Sequence, residues 1–356
     1  MKLIQSEFGL SFSAVSLLLS VYFFTYVLFT IPAILIAEKY GYKRTMISFF
    51  LLAAVALALA GVLGTNYYSL LVLLGVHGLG AGAYYPTAFR ISNEISPAEK
   101  RGFSTAIINS GMGIGTVVGL GIGGPLLAFI PHWQVILLIL SIPTAAVGLL
   151  FFRSIKLREG PRSGFRLALF KPLMGNRRFV AICFMMFCSL YGYWVILSWG
   201  PTFIQSVGGL NIFYSGLATG IFAAVAIPSS LIVGKYTDRV GRRKVALALL
   251  PLASLTILLM ALTSNLLLFI GAITLYGVVG KLTLDPVAVA WVGDIIEPES
   301  LGAALAVMNV FAMGSSILAP VITGVLADLT GTLSYGFYFG AAIVLFGVVF
   351  VLFGTE

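Results

Sequence analysis

The residues with the clearest chemical potential are a lysine and an aspartate inside an apolar segment. Lys281 and Asp285 lie four positions apart in YGVVGKLTLDPVAVAW, so on a helix they share one face and can pair. Ionised side chains inside a membrane are costly and usually functional. Lys281 is therefore a candidate counter-charge for an anionic substrate, and Asp285 a candidate group that neutralises it or accepts a proton. The alternative is a structural ion pair between helices.

Aromatic side chains in two other apolar segments form a second group of candidates. Tyr84 and Tyr85 lie in one segment, and Tyr191, Tyr193 and Trp194 lie in another. Tyrosine hydroxyl and indole N–H groups donate hydrogen bonds. All five residues are candidate substrate contacts.

Four further residues are interpreted more conservatively. Trp199 lies near a predicted helix end and is expected in an interfacial aromatic belt. His77 lies beside glycines and is expected to be packed and hydrogen-bonded rather than to relay protons. Pro86 and Pro286 either interrupt their helices and free backbone carbonyls, or make ordinary kinks.

The composition places these residues in a membrane protein. The chain has 356 residues, of which 60% are hydrophobic and 9% are charged, whereas a soluble domain has roughly 25% charged residues. The mean hydropathy is +1.06. Cys183 and Cys188 lie in one apolar run, which argues against a disulfide framework or a metal site. We predict no cofactor and no nucleic-acid partner, although the net charge is +9.

Eleven apolar runs are long enough to cross about 30 Å of hydrocarbon. They are 13–37, 45–64, 67–90, 103–129, 133–152, 179–205, 211–234, 245–263, 266–291, 303–326 and 334–354. A basic segment, 153–178, separates the first five from the last six and is predicted to be a cytoplasmic linker. The expected fold is therefore all-α, with an N-terminal bundle over 1–152 and a C-terminal bundle over 179–356.

The charges are distributed very unevenly between the two ends of these bundles. Of the 21 Lys and Arg residues, 19 lie in or beside the loops at one end. Basic loops face the cytoplasm in membrane proteins. The pattern predicts a cytoplasmic C-terminus and an external N-terminus in a multi-pass protein of the plasma membrane.

The sequence repeats itself at an offset of 200 residues. IQSEFGL at 4–10 matches IQSVGGL at 204–210, and matches continue at 38–44 with 238–244 and at Pro86 with Pro286. Both copies point the same way because both charged loops lie at one end. Parallel repeats of this kind are typical of transporters that rock two halves around a central site. Since IQSVGGL closes a span, we expect IQSEFGL to close an equivalent span that lies before Met1.

The duplicated loop carries a family resemblance. GKYTDRVGRRK at 234–244 resembles the signature loop of the major facilitator superfamily, and AEKYGYKR at 37–44 is a weaker copy. The resemblance covers essentially the whole chain. The first copy departs from the pattern in lacking the leading glycine and in having Glu38 for aspartate. Leu74 stands where the family commonly has an arginine, so that charge is not carried over.

The resemblance implies that the loop gates transport. Asp238 would pair with a basic residue or a helix N-terminus of the other half, and Gly241 would permit the tight turn. Arg239, Arg242 and Arg243 would form ion pairs that differ between states. Glu38 and Arg44 are the candidates in the first copy. The alternative is a topological anchor.

The combined prediction is a secondary transporter of a small solute, driven by a proton or sodium gradient. The segment 294–332 loosely resembles the organic-anion and sugar-acid branch of the superfamily. The expected partners are a small-molecule substrate, the coupling ion and the lipid bilayer, and the expected state is a monomer. Export of a metabolite or drug is an alternative, and so is a truncated, non-transporting relic or receptor. An enzyme is disfavoured because the chain lacks a nucleophile–base set.

Overall fold

A computed structural model describes residues 1–97, 101–154 and 170–354. The first half contains α1 Lys2–Phe8, α2 Phe12–Tyr40, α3 Tyr42–Leu63, α4 Tyr67–Gly82, α5 Tyr84–Ile95, α6 Arg101–Phe129 and α7 Trp133–Ser154. The short α8 Phe170–Gly175 follows. The second half contains α9 Arg177–Gly208, α10 Ile212–Val240, α11 Arg242–Leu262, α12 Leu266–Val279, α13 Lys281–Ile295, α14 Pro298–Thr330 and α15 Ser334–Gly354.

The described helices confirm the predicted all-α membrane class. Ten of them, with α12 and α13 taken together, are long and apolar enough to cross a membrane. The one predicted span that is not among these ten, 67–90, is divided into α4, with 16 residues, and α5, with 12 residues. Helices suit this setting because each backbone N–H and C=O is paired within its own segment.

The two divided spans break ahead of their prolines rather than at them. The first breaks at Ala83, so that Pro86 falls in the first turn of α5. The second breaks at Gly280, and Pro286 lies inside α13. A proline is tolerated in the first turn because the N–H groups there have no intrahelical partner.

The 200-residue repeat is visible in the backbone at two pairs of turns. Gly9 ends α1 with φ 61° and Gly209 ends α9 with φ 62°. Gly41 and Gly241 join the next helix pairs with φ 96° and 98°. Positive φ is strained for residues with a Cβ, so each copy needs a glycine at both places.

The two halves meet along two helix pairs, and the 200-residue repeat relates one pair to the other. α2 packs against α14, and α6 packs against α10. A Cβ at Gly324 would lie 2.5 Å from Ser16 Oγ, and one at Gly216 would lie 3.0 Å from Gly124 Cα. Adding 200 to 16 and to 124 gives 216 and 324, so the two contacts are equivalent. The halves are thus related by a pseudo-twofold axis.

We call the end with the Gly41 and Gly241 loops the basic end and the opposite end the non-basic end. At the non-basic end Asp328 accepts hydrogen bonds from the backbone N–H groups of Phe12, at 2.8 Å, and Ser13, at 2.9 Å. A carboxylate is favourable at a helix N-terminus. This contact fastens the end of α14 to the start of α2 and closes the halves together there.

The predicted linker, 153–178, is only partly described. Residues 155–169 lie outside the described residues, and 170–175 form α8. The domain boundaries that depend on the linker stay a prediction.

The close contact at Gly216 generates the first testable prediction. A Cβ there would lie 2.9 Å from the Leu120 carbonyl oxygen, so Gly216→Trp should force α10 away from α6 and open the non-basic end. Spin labels at Thr65 and Ser264, in exposed loops of the two halves at this end, should move apart in double electron–electron resonance.

The matched control is Gly271→Trp, since a Cβ at Gly271 would meet no atom within 4 Å. Gly216→Val serves as a milder variant if tryptophan prevents folding. An unchanged distance distribution in both Gly216 variants would contradict the closed packing described for this end.

Candidate functional site

Lys281 and Asp285 form an ion pair near the middle of the second half. Lys281 is the first residue of α13, directly after the break at Gly280, and Asp285 lies one turn further. Lys281 Nζ is 2.5 Å from Asp285 Oδ2. The lysine side chain is 7% exposed and the aspartate side chain 34% exposed. The carboxylate is therefore the more accessible member and covers the ammonium group.

The first half reaches this pair through α6. Lys281 Nζ lies 3.5 Å from Met112 Sδ and 5.8 Å from the centroid of the Tyr193 ring. The Tyr193 hydroxyl is 2.6 Å from Thr116 Oγ1, which also donates to the Met112 carbonyl oxygen at 2.9 Å. A threonine hydroxyl has one proton, so Tyr193 is the donor to Thr116. This hydrogen bond crosses between the halves.

Of the two candidate tyrosines in the first half, only Tyr85 lies near the pair. Tyr85 is close to the side chains of Asp285 and Asn309, and its ring packs against Phe89. Tyr84 turns towards α3, where its ring meets Phe50 at 5.7 Å. Adjacent residues on a helix point about 100° apart, which explains why the structure separates them.

The three aromatic candidates on α9 also separate. Tyr193 joins the pair as described. Trp194 packs its ring on Phe23 of the first half at 4.3 Å, and its buried indole N–H has no hydrogen-bond partner among the described residues. Tyr191 faces away, with its ring against Phe339 of α15.

Two of the conservative interpretations have different outcomes. The interfacial placement of Trp199 is wrong: its side chain is buried, and Nε1 donates to the Pro320 carbonyl oxygen at 3.1 Å. Proximity to a helix end does not expose a residue that faces α14. His77 is packed as predicted, with Nδ1 2.9 Å from the Ala53 carbonyl oxygen and its ring stacked on Tyr22.

The signature loop forms a charged cluster within the second half. Arg242 binds Asp238, and its Nε lies 3.2 Å from Asp294 Oδ2. Arg243 donates to the carbonyl oxygens of Val351 and Leu352 at the end of α15. Gly241 makes the turn with φ 98°, and the remaining candidate in this loop is exposed, namely Arg239.

The first copy of the loop has a different central residue. Tyr42 lies within electrostatic reach of Glu38, Arg90 and Glu94, and the Arg90 guanidinium lies 5.7 Å from the Tyr42 ring centroid. By the repeat, Glu38 and Glu94 correspond to Asp238 and Asp294, but Tyr42 replaces Arg242. The nearby cation comes from α5, where Arg90 lies over the Tyr42 ring. Arg44 is exposed.

Three residues around the site had not been predicted as site residues from sequence, namely Thr116, Met112 and Asn309, and neither had the contact of Asp328 at the non-basic end. Thr116 and Met112 lie in a glycine-rich run whose composition indicates close helix packing rather than a polar contact. Among the described residues there is no group of three or more His, Cys, Asp or Glu side chains that could hold a metal ion.

Comparison with known proteins identifies the family. The sequence profile of the Major Facilitator Superfamily matches residues 1–280 and 209–356. The chain therefore belongs to this superfamily of membrane transporters. The family is one of transporters rather than enzymes, which confirms that expectation, and the chain is an integral multi-pass membrane protein.

Individual relatives narrow the comparison. The chain is 26% identical to a probable sulfoacetate transporter of Cupriavidus necator, over 99% of this chain and 87% of the relative. It is 24% identical to a putative tartrate transporter of Agrobacterium vitis, over 98% and 83%. It is also 24% identical to the hexuronate transporter of Bacillus subtilis, over 98% and 87%. All three are named as transporters of organic anions.

A solved structure has the same fold. A bacterial homolog of the human lysosomal transporter Spinster, in an inward-facing and occupied conformation, superposes with a TM-score of 0.77. The identity is 16%, and the match covers 99% of this chain and 89% of that chain. The predicted two-bundle major facilitator fold is confirmed.

The hydrogen bond between Tyr193 and Thr116 can be tested directly. Because it joins the halves while the non-basic end is closed, Tyr193→Phe and Thr116→Val should each shift the equilibrium towards opening of that end. The expected loss is about 0.5–1.5 kcal/mol, and the double variant should lose no more than either single one. Double electron–electron resonance across the non-basic end measures these populations.

Thr144→Val is the matched control, because Thr144 Oγ1 donates within α7, to the Leu140 carbonyl oxygen at 2.9 Å. Strict additivity of the Tyr193 and Thr116 effects would show that the two hydroxyl groups act independently.

Proposed function

We propose that this chain is a secondary transporter that moves a small organic anion through the Lys281–Asp285 site by alternating access. The observation that carries the proposal is the position of this ion pair. It lies where the halves meet, 3.5 Å from Met112 of the first half. Because both halves contact the site, binding of a substrate there can affect the position of both.

The mechanism begins with an exchange of anions on Lys281. Asp285 pairs with Lys281 and is the more exposed partner. A substrate carboxylate that enters from the open side competes for the same ammonium group. Such a contact is a charge-assisted hydrogen bond, which is stronger than a bond between neutral groups. Tyr85 and Tyr193 lie beside the pair and would supply further hydrogen bonds to the substrate.

The displaced Asp285 provides a route for coupling to an ion gradient. A carboxylate that loses its cation inside an apolar bundle is costly. Taking up a proton or a sodium ion removes that cost. Substrate binding at Lys281 and ion binding at Asp285 would then favour each other, which is what symport requires. Relatives named as transporters of sulfoacetate, tartrate and hexuronate support an organic anion as the substrate.

We further propose that the basic end is cytoplasmic and that the protein works as a monomer in the plasma membrane. The positive-inside rule supports this orientation. The cross-half contacts at Asp328, Ser16 and Gly216 lie at the non-basic end. The conformation would then be open towards the cytoplasm, as in the inward-facing structural relative.

The charged loop fits a gate at the basic end. In this conformation Arg242 holds Asp238 and Asp294 within the second half. Closing the basic end would bring the loop towards the first half and allow Asp238 to exchange partners. The Glu38, Tyr42 and Arg90 cluster would do the same on the other side.

The ion pair gives the decisive test of the proposal. Lys281→Met should abolish uptake of the transported anion into proteoliposomes. It should also lower stability by about 1–3 kcal/mol, because breaking a buried pair leaves one charge without a partner and Asp285 is partly exposed. Uptake and thermal unfolding are measured on the same preparations.

The double variant Lys281→Met/Asp285→Leu separates function from structure. It removes both charges, so stability should recover while uptake stays absent. Uptake that persists in the double variant would make the pair purely structural. Lys281→Arg keeps the charge and should keep partial uptake.

The gating loop generates a separate prediction. Asp238→Asn should slow turnover about two- to fivefold at normal abundance, a size appropriate to a largely exposed ion pair. Asp238→Glu retains the charge and is the control. Equal turnover in both variants and in the unmodified protein would reduce the loop to a topological anchor.

A further inference from the structure

The charges at the central site are few and balanced. Lys281 is the one charged residue among the buried side chains of the described part of the chain. Asp285 is its partner at 2.5 Å. The neighbouring groups are neutral, namely Met112, Thr116, Tyr85, Tyr193 and Asn309. In the part of the chain that the structure describes, the site offers one positive charge and no second cation.

This balance limits how much negative charge a ligand can bring. A single substrate carboxylate can take the place of Asp285 on Lys281. A second carboxylate would find only neutral groups and Asp285, which is negative until it takes up the coupling ion. An ionised group buried without a partner is strongly disfavoured, and like charges at close range repel.

The neutral groups point to the rest of the ligand. Tyrosine hydroxyls and an asparagine amide both donate and accept hydrogen bonds. Such groups around a ligand suit the hydroxyls of a sugar acid better than a bare alkyl chain, because a hydroxyl that leaves water needs a hydrogen-bond partner.

We infer that the site selects hydroxylated monocarboxylates over the dicarboxylates of the same carbon skeleton, with Lys281 as the single carboxylate anchor. This inference rests on the proposed function and names the substrate class of the same site. It separates the chain from relatives named for tartrate, a dicarboxylate, and aligns it with the relative named for hexuronate, a monocarboxylate.

Two pairs of probes differ only at one terminal carbon, which is a CH2OH group in the monocarboxylate and a second carboxylate in the dicarboxylate. D-gluconate and D-glucarate share a six-carbon skeleton, and L-threonate and L-tartrate share a four-carbon skeleton. Thermal stabilisation of the purified full-length protein measures binding at pH 7.5, where all carboxylates are ionised. Counterflow in proteoliposomes measures transport.

We expect gluconate and threonate to stabilise the protein and to support counterflow at about tenfold lower concentration than their dicarboxylate counterparts. This ratio is equivalent to about 1.4 kcal/mol. If glucarate and tartrate bound or were transported equally well or better, the inference would be overturned. The proposal of organic-anion transport would not be affected. Failure of all four anions to bind or move would overturn both the inference and the proposed organic-anion function.

A charge variant tests the cause of the selectivity. Asp285→Asn removes the negative charge beside Lys281 and should raise the affinity for glucarate relative to gluconate about tenfold. Asp285→Glu should keep the original preference. Glu7→Gln removes one negative charge from α1, where Glu7 accepts a hydrogen bond from Trp133, and should leave the ratio unchanged. The role of Asp285 would be overturned if Asp285→Asn left the ratio of glucarate to gluconate affinity unchanged. It would also be overturned if Glu7→Gln changed this ratio equally.

Discussion

An ammonium group inside an apolar helical bundle has to be neutralised, and much of this molecule is arranged around that requirement. Lys281 has a side chain that is only 7% exposed, so little of its charge can be solvated directly. Asp285 supplies the opposite charge from the same helix, one turn away. Because the aspartate is the more exposed member, it covers the ammonium group of the lysine and is itself accessible from the surface. In the proposed mechanism, a substrate carboxylate would replace Asp285 on the lysine.

In the proposed alternating-access cycle, the repeat explains how the site would be exposed to one side at a time. The contact between Ser16 and Gly324 and the contact between Gly124 and Gly216 are the same contact in two copies. Two equivalent interfaces on either side of a pseudo-twofold axis allow one half to rock against the other. Asp328 holds the non-basic end closed, and the Tyr193–Thr116 hydrogen bond joins the halves beside the ion pair. Breaking these contacts while closing the basic end would carry the site to the opposite side.

Much of this arrangement could be predicted from sequence because its signals are local or periodic. The spacing of Lys281 and Asp285 places them on one helix face, and the constant offset of 200 residues predicts the repeat. The contacts of Thr116 and Asp328 could not be predicted, because their partners are 77 and 315 or more residues away and depend on how the halves dock. Trp199 was misplaced for the same reason, since its surroundings come from α14. The break at Ala83 was missed because the residue itself carries no breaking signal.

The most direct test of the central claim is a cryo-electron microscopy structure of the protein with bound D-gluconate. The account predicts that the ligand carboxylate lies about 2.7–2.9 Å from Lys281 Nζ, with Asp285 displaced from the lysine. A ligand bound elsewhere, with the Lys281–Asp285 pair intact, would contradict the account.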